Sequence, residues 1–214
     1  MARRPVFVPE SDKPYVSELS LDFEYFPGSS IQQKQRSVAS LHASYVDRFP
    51  SSRVLEVSSR SKRDIGVQLS AFNLMIECPG RGSYSVECAF QASKVFRHGG
   101  PFIDLLNASS RAAKTDRRLR KSGELVGFKY FADEFPLEPK TYFYDWLYTS
   151  ALCRDEKLVD QVMMFDAFTD IEYNPERSIN CQARSVAKVV GLARAGLLTD
   201  ALQSPQAFLE LGYH

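Results

Sequence analysis

The chain has 214 residues, of which 44% are hydrophobic and 25% are charged, and its formal net charge is +1. These values are typical of a globular protein with a sizeable core, and they exclude a disordered chain or one that coats nucleic acid through high net charge. No apolar run approaches the roughly 20 residues that a membrane-spanning helix needs. The N-terminus lacks the apolar segment of a secretory signal.

The cysteines and histidines argue against a metal site. Cys78, Cys88, Cys153 and Cys181 show no CxxC spacing, and the chain has only three histidines. Common zinc motifs are therefore excluded, and we expect no metal and no cofactor. Scattered thiols are typical of a reducing compartment, which predicts a cytoplasmic protein.

The first half of the chain is predicted to mix helices with short extended segments. In chain order we predict irregular chain over 1–30 with a short strand at 19–26, a helix at 32–48, a strand at 54–57, an apolar segment at 69–77, a turn at 79–82 and a helix from Val86 to the Gly99-Gly100-Pro101 stop.

The second half is predicted to be almost entirely helical. Its predicted elements are short helices at 102–107 and 109–121, helices at 141–153 and 155–164, a polar loop at 166–179 and a helix at 180–195. No repeat, low-complexity run or linker interrupts the sequence. The predicted fold class is therefore mainly α with a few short β strands, in a single compact domain spanning residues 1–214.

The segment that begins at Glu87 carries the most informative pattern. Read as a helix, Glu87, Gln91, Lys94 and His98 lie within about 60° of one another on one narrow stripe. A carboxylate, an amide and an amine on one line suit a reaction site, although helices also carry polar stripes that only face solvent.

Charge is unevenly distributed along the chain. Residues 111–121 hold six basic side chains against one acid, whereas residues 123–176 hold twelve acids against four bases. The basic segment could hold a few phosphates, or it could be a solvated helix and turn.

Two blocks of sequence resemble the NADAR family. The first block is Leu69-Ser70-Ala71-Phe72-Asn73, the Gly82 turn, and Tyr84-Ser85-Val86-Glu87 with Gln91 and Lys94 at +4 and +7. It is similar to that family's serine-asparagine-phenylalanine segment, short hairpin and glutamate helix. Ala71 replaces the asparagine, and Cys88-Ala89 replaces the usual histidine-aromatic pair.

The second block is Asp166-Ala167-Phe168, with Asn180 following at about the family's distance. Here Thr169-Asp170 stands where the family usually has tryptophan-glycine. The resemblance covers about residues 55–195, which leaves residues 1–54 as an N-terminal extension packed on the domain.

Segments 138–141, 166–172 and 178–185 resemble more specifically the branch of NADAR proteins encoded beside DarT-type toxins. That resemblance implies a hydrolase that removes ADP-ribose from the guanine amino group of ADP-ribosylated DNA. Such a protein acts as antitoxin to a DarT-like guanine ADP-ribosyltransferase. The implied partners are ADP-ribosylated DNA, with ADP-ribose as product, and a DarT-like toxin, with no membrane.

Cleavage of this N-glycosidic bond requires proton delivery to the base and a way to handle an electron-poor anomeric carbon. We predict Glu87 as the general acid/base. Lys94 is the predicted nucleophile, which forms a Schiff base with the ring-opened sugar and needs a lowered pKa. In the alternative, Lys94 stabilises charge and an activated water attacks. Asp166 is the third catalytic candidate, at the ribose hydroxyls or the developing cation.

The other candidates would bind the substrate. Arg60 and Lys62 could hold the diphosphate, and Gln91 and Asn73 could hydrogen-bond the substrate. Trp146 could stack on a base, although its aromatic neighbours favour the core. The remaining substrate-binding candidates are Ser70, Phe72 and Asn180. Asp170 and Glu172 are weaker candidates, because they could also be solvated acids of a loop.

Two other functions stay open at this level. The chain could be a non-catalytic module that binds ADP-ribose or neutralises a toxin by direct contact. It could also be an N-glycosidase acting on a small riboflavin-pathway intermediate. The pairing of a carboxylate with an amine favours catalysis over binding alone.

Overall fold

The computed structural model describes residues 1–80 and 82–213. Arg81, which falls in the predicted turn at 79–82, and His214 lie outside the described residues. The strands in chain order are β1 (Ala2–Pro9), β2 (Val16–Phe23), β3 (Val54–Glu56), β4 (Met75–Cys78), β5 (Gly82–Ser85), β6 (Lys94–Phe96), β7 (Leu125–Tyr130), β8 (Asp133–Phe135) and β9 (Ala167–Thr169).

The helices in chain order are α1 (Ile31–Val46), α2 (Asp64–Gln68), α3 (Val86–Ala92), α4 (Ser110–Thr115), α5 (Arg118–Lys121), α6 (Tyr142–Leu152), α7 (Glu156–Val162), α8 (Gln182–Arg194), α9 (Leu198–Ala201) and α10 (Pro205–Tyr213). A 3₁₀ helix, Ile103–Asn107, lies between β6 and α4.

The prediction of a mainly α fold is wrong. The described chain is 41% helix and 20% strand, with the strands in three sheets, so the fold is mixed α/β. The largest error lies in residues 1–30, where β1 and β2 form an antiparallel ladder of eight residue pairs. Strand β1 contains Pro5 and Pro9, and prolines are tolerated there because β9 pairs with β1 only at Phe7, so most of that side of β1 makes no ladder hydrogen bonds.

The first sheet has the strand order β2-β1-β9-β3. Its β3 and β9 strands are parallel, with Glu56 opposite Thr169. Because parallel strands end at the same edge, the segments that follow β3 and β9 leave the sheet side by side. Those two segments form one wall of the candidate site.

The other two sheets are antiparallel. Strands β4 and β5 form a hairpin, and β6, β7 and β8 form a sheet in that order. Lys94 of β6 pairs with Phe128 of β7, which pairs with Phe135 of β8. The third sheet therefore places Lys94 beside an aromatic surface.

Two long helices build the centre of the core. Leu147 and Tyr148 of α6 and Val186 and Val189 of α8 are buried in one cluster. Gly191 of α8 lies so close to the carbonyl oxygen of Tyr15 that any side chain would collide with it. This glycine lets α8 pack directly on the β1–β2 connection. The bounds of α1, α6, α7 and α8 agree with the predicted helices to within two residues.

The single helix predicted from Val86 to the Gly99-Gly100 stop is wrong beyond Ala92. Ser93 caps α3, and its hydroxyl donates to the carbonyl oxygen of Ala89 at 2.8 Å. The chain then extends, because Lys94–Phe96 pairs with β7. Tertiary pairing thus overrides the helical periodicity, and His98 lies exposed in the following turn instead of on the predicted stripe.

Candidate active site

Glu87 lies in the first turn of α3, at the end of the β4–β5 hairpin. The Ser85 hydroxyl caps this helix by accepting from the backbone N–H of Cys88 at 3.1 Å. The backbone N–H of Glu87 donates to the carbonyl oxygen of Ala71 at 2.9 Å. The side chain of Glu87 is 6% exposed and faces a cavity of about 700 Å³.

Gln91 holds the Glu87 carboxylate in place. Its Nε2 donates to Glu87 Oε1 at 2.9 Å, which leaves Glu87 Oε2 without a hydrogen-bond partner among the described residues. Gln91 Oε1 is buried and likewise has no partner in the described chain. Buried polar atoms are usually paired, so the unpaired Gln91 Oε1 indicates a site that a ligand or water completes.

Lys94 reaches the same cavity from β6 and not from the helix. Its Nζ lies 4.7 Å from the centre of the Phe90 ring, over the face of that side chain. It forms no ion pair with any carboxylate of the described chain. Burial lowers the pKa of Lys94; the charge of Glu87 opposes this shift and the charge of Lys114 adds to it. The net effect is an amine that loses its proton more readily than an exposed lysine.

Aromatic side chains form the wall behind Lys94. The ring of Phe90 lies 5.5 Å from that of Phe128 and edge-on to that of Tyr144 at 5.1 Å. Tyr144 also lines the cavity, and burial together with the Glu87 charge raises its pKa well above the usual value. Its hydroxyl therefore stays protonated near Glu87. No sequence motif distinguished Tyr144 from its aromatic neighbours on α6.

The opposite wall comes from the parallel ends of β3 and β9. The buried Glu56 carboxylate accepts hydrogen bonds from the Ser58 hydroxyl at 2.6 Å, the Thr169 hydroxyl at 2.6 Å and the Ile171 backbone N–H at 2.9 Å. Glu56 therefore ties together the two segments that carry Arg60 and Asp170 into the cavity. No sequence motif indicates this role of Glu56.

Burial dominates the titration of these acids. It raises the pKa of Glu56 to about 7, against hydrogen bonds that lower it. Burial, and then the charge of Glu56, raises the pKa of Asp170 well above its usual value. Asp170 lines the cavity, and its raised pKa favours the protonated carboxyl, which can donate as well as accept a hydrogen bond.

Gln182, which belongs to the family-like segment 178–185, holds one side of the cavity in place. Gln182 Oε1 accepts from the backbone N–H of Ala71 at 2.7 Å, and its Nε2 donates to the carbonyl oxygen of Val57 at 2.6 Å. It thereby anchors the segment that carries Ser70 and Phe72 against the end of β3. Gln182 also lines the cavity.

Basic side chains surround the cavity from several elements. Among the described residues, the cations that line it are Arg60, Lys94, Lys114, Lys140 and Arg177, and the acids are Glu87, Glu138, Asp170 and Glu172. Of the basic cluster at 111–121, only Lys114 lines the cavity. Arg118 is instead paired with Asp104 and Asp116, at 2.6 Å and 3.0 Å.

Most of the predicted site residues come together in this cavity. It is lined by Arg60, Ser70, Phe72, Glu87, Gln91, Lys94, Asp170 and Asn180, as well as by Glu172. Arg60 and Lys34 each lie 3.4 Å from the Glu172 carboxylate, so Arg60 enters the cavity with its charge partly balanced.

Four predicted site residues do not line the cavity. Asp166 accepts from the backbone N–H of Arg53 at 2.9 Å and lies 3.8 Å from Arg194, which is a structural position. Lys62 is exposed, and the Asn73 amide donates to the carbonyl oxygen of Val67 at 2.8 Å. Trp146 packs in the aromatic core, 5.0 Å from the Phe135 ring. The positions of these side chains lend no support to their predicted roles.

The described residues provide no cluster of three His, Cys, Asp or Glu side chains that could hold a metal ion. Within the same part of the chain, no helix combines the length and the apolar character required to cross a membrane. The cavity therefore offers carboxyl, amine, amide and phenol groups as its chemistry.

The sequence was compared with known proteins and family models. No curated protein matches it. It does match the model of the DarT1-associated NADAR antitoxin family over residues 2–214, which extends the resemblance well beyond 55–195 and through β1 and β2. This match confirms the relationship predicted from the two sequence blocks, and the chain belongs to the family of DarT1-associated NADAR antitoxins.

Proposed function

We propose that this protein is a hydrolase that removes ADP-ribose from the guanine amino group of ADP-ribosylated DNA, and so reverses the modification made by a DarT-like toxin. The observation that carries the proposal is the pair Glu87 and Lys94, a buried carboxylate and an amine of lowered pKa that face one cavity. Membership of an antitoxin family supports the same role.

The size and charge of the cavity suit ADP-ribose. Its volume of about 700 Å³ lies within the usual range for small-molecule sites. Arg60, Lys140 and Arg177 supply cations for the diphosphate, and Asp170 offers a carboxyl to the ribose hydroxyls. Phe72 and Tyr173 present aromatic surface for a base.

The covalent mechanism begins with opening of the modified ribose ring, which leaves an iminium between its C1 and the guanine nitrogen. The neutral Lys94 amine adds to C1, a proton moves to the guanine nitrogen, and the C1–guanine bond breaks. Guanine leaves with its amino group restored, while C1 becomes a Schiff base on Lys94. Water then hydrolyses the Schiff base, which releases ADP-ribose and the free lysine. Glu87 carries the protons in both stages.

In the water-mediated mechanism, Lys94 stays charged and stabilises the negative groups of the substrate. Glu87 then activates water for attack at C1 and returns the proton to guanine. The lowered pKa of Lys94 favours the covalent mechanism, because a deprotonated amine is a nucleophile and a poor electrostatic clamp.

The direct test incubates the purified full chain with an oligonucleotide that carries one ADP-ribosylated guanine. Chromatography and mass spectrometry should detect free ADP-ribose and unmodified oligonucleotide in equal amounts. Binding of the modified oligonucleotide without any release would instead assign a non-catalytic, ADP-ribose-binding role.

A further inference from the structure

A second cavity adjoins the candidate active site. Its volume is about 430 Å³, it is more open than the first, and Phe72 lines both. One wall of the second cavity is the β4–β5 hairpin, which contributes Met75 and Ser83. Another wall is the segment between the 3₁₀ helix and α4, which contributes Asn107 and Ser109.

The boundary between the two cavities is held by a chain of hydrogen bonds. The Ser110 hydroxyl donates to the carbonyl oxygen of Phe72 at 2.9 Å and lies 2.8 Å from the Ser85 hydroxyl. Ser85 is itself fixed as the cap of α3, the helix that carries Glu87. The position of Phe72 is therefore coupled to the scaffold of the first cavity.

Helix α4 spans the boundary and supplies a cation there. Ser110, at its first position, lines the second cavity, and Lys114, one turn later, lines the first. Lys114 Nζ lies 5.1 Å from the centre of the Phe72 ring. A negative group that passes from one cavity to the other would therefore meet this ammonium.

The second cavity itself is neutral. No charged side chain of the described chain lines it. Leu106, Met75 and Phe72 provide apolar surface, while Ser83 and Asn107 have side-chain polar groups without hydrogen bonds to the described residues. A flat, uncharged group with hydrogen-bonding edges fits this lining, and a free phosphate does not.

We propose that this second cavity binds the base of a nucleotide next to the ADP-ribosylated guanosine, an inference that rests on the proposed function. The phosphate that links the two nucleotides would lie at Lys114. The second cavity lies beside the reaction site, the Lys114 ammonium lies near the Phe72 ring that lines both cavities, and the lining of the second cavity suits a nucleobase. The protein would therefore read a short stretch of single strand rather than an isolated modified guanosine.

The experiment compares substrates of increasing length. Wild-type kcat/KM is measured for ADP-ribosylated guanosine alone, and for the same nucleoside with one further nucleotide on the 5′ side, on the 3′ side, or on both. We expect a gain on the order of tenfold when the nucleotide that reaches the second cavity is added, as expected of one stacked base.

Two variants fill the cavity from opposite walls. Ser83→Trp and Asn107→Trp change exposed positions, so the fold should tolerate both. Each should abolish the gain from the added nucleotide and leave turnover of the modified nucleoside unchanged. Gln32→Trp, exposed on α1 and outside both cavities, is the matched control and should retain the gain.

Several outcomes would overturn this inference. Equal kcat/KM for the nucleoside and all longer substrates would do so, as would a gain that persists in both tryptophan variants. Loss of binding to a purified DarT-like toxin, with the gain retained, would assign the cavity to protein contact instead. Turnover of the modified oligonucleotide tests the proposed function, and the dependence of kcat/KM on substrate length tests the second cavity, so the two failures can be distinguished.

Discussion

Lys94 has an amine that burial makes easier to deprotonate, and it lies over Phe90 without an ion-pair partner in the described chain. If it forms a Schiff base, borohydride added during turnover should reduce the imine to a stable secondary amine. Intact-mass spectrometry of the wild type should then show an ADP-ribose adduct at Lys94. Lys94→Ala and Lys94→Arg should show none.

Lys94→Arg also separates the two mechanisms kinetically. Arginine keeps the positive charge but cannot become a neutral nucleophile. The covalent mechanism therefore predicts that both variants lose activity equally. Retention of most activity by Lys94→Arg, with loss of about a hundredfold in Lys94→Ala, would mean that only the charge matters.

The lowered pKa of Lys94 also predicts how kcat depends on pH. Only the neutral amine attacks, so kcat should rise with pH until the pH passes the lowered pKa of Lys94, and it should level off below the usual 10.5. Because the charge of Lys114 helps to lower that pKa, Lys114→Ala should move the rise to higher pH. A profile at saturating substrate that is unchanged in Lys114→Ala would contradict this coupling.

Glu87→Gln is the corresponding test of proton transfer. The amide keeps an oxygen that can accept from Gln91 Nε2, so the fold should survive, while the general acid/base is lost. We expect kcat to fall by about a hundredfold or more. Glu138→Gln, at an exposed acid of the cavity rim, is the control. Activity within about threefold of wild type would remove Glu87 from the mechanism.

At the scale of elements, the short strand β6 decides where Lys94 lies. Gly100 has a φ of +84°, and a side chain there would collide with the carbonyl oxygen of Lys94. Gly100→Ala should therefore displace β6 and lower turnover about tenfold or more, since small misplacements of reacting groups are costly. Its effect on stability should be about 1–2 kcal/mol from the strained φ alone.

Gly196 provides a matched control for this prediction. It has a similar φ of +72°, but no atom of the described residues lies within 4 Å of the position that a side chain would take. Gly196→Ala should lower the free energy of unfolding by the same amount, about 1–2 kcal/mol, that the strained φ costs, and should leave turnover unchanged. Equal turnover losses in the two variants would mean that backbone strain, and not the position of Lys94, limits activity.

The elements also explain which predictions held. Helices α6 and α8 were predictable because long apolar periodic segments form helices in most contexts. Residues 94–96 and 167–169 were not, because each is a three-residue strand that exists only through pairing with distant chain. The family motif predicts Lys94 as a site residue, although the helix predicted for this position is wrong. Strand β6 still brings the Lys94 side chain over Phe90 of α3.

The site residues that the sequence missed share one physical cause. Glu56 and Gln182 act through hydrogen bonds between residues 113 and 111 positions apart, and Tyr144 acts through shared burial. Periodicity reports only the neighbours of a residue along its own element. Conversely, Asp166 fitted a motif but faces Arg53 and Arg194, because the cavity begins only beyond β9, at Asp170.

At the scale of the whole molecule, a buried carboxylate joins three helices behind the cavity. Asp145 of α6 accepts hydrogen bonds from Arg184 and from the hydroxyls of Ser185 and Tyr213, at 2.6 Å from each hydroxyl. The hydroxyl of Thr141, a residue that lines the cavity, also donates to the Asp145 carboxylate at 2.9 Å. The C-terminal helix α10 is thereby connected to the rim of the site.

Asp145→Asn should destabilise the whole chain, because it leaves the Arg184 guanidinium without its counter-charge. Loss of one partner of a buried pair typically costs about 3–5 kcal/mol, and we expect the lower end because the Arg184 side chain is still 22% exposed. Denaturant unfolding at neutral pH measures the change. Asp22→Asn breaks the exposed pair with Arg3 at 2.9 Å and should leave the unfolding midpoint almost unchanged, because solvent screens that pair.

The free energy of unfolding at acid pH provides an independent test of the role of Asp145. Burial alone would raise the pKa of Asp145, but Arg184, Lys188 and two hydroxyls outweigh burial and lower it below the usual 3.8. The unfolded chain therefore binds this proton first, so the contribution of Asp145 is complete above pH 3.8 and is lost as pH falls through the lowered value. Asp145→Asn should be less stable than wild type at pH 7, and the difference should shrink steadily below about pH 4. A difference that stays constant down to pH 2 would mean that packing, and not the charge of Asp145, holds α6, α8 and α10 together.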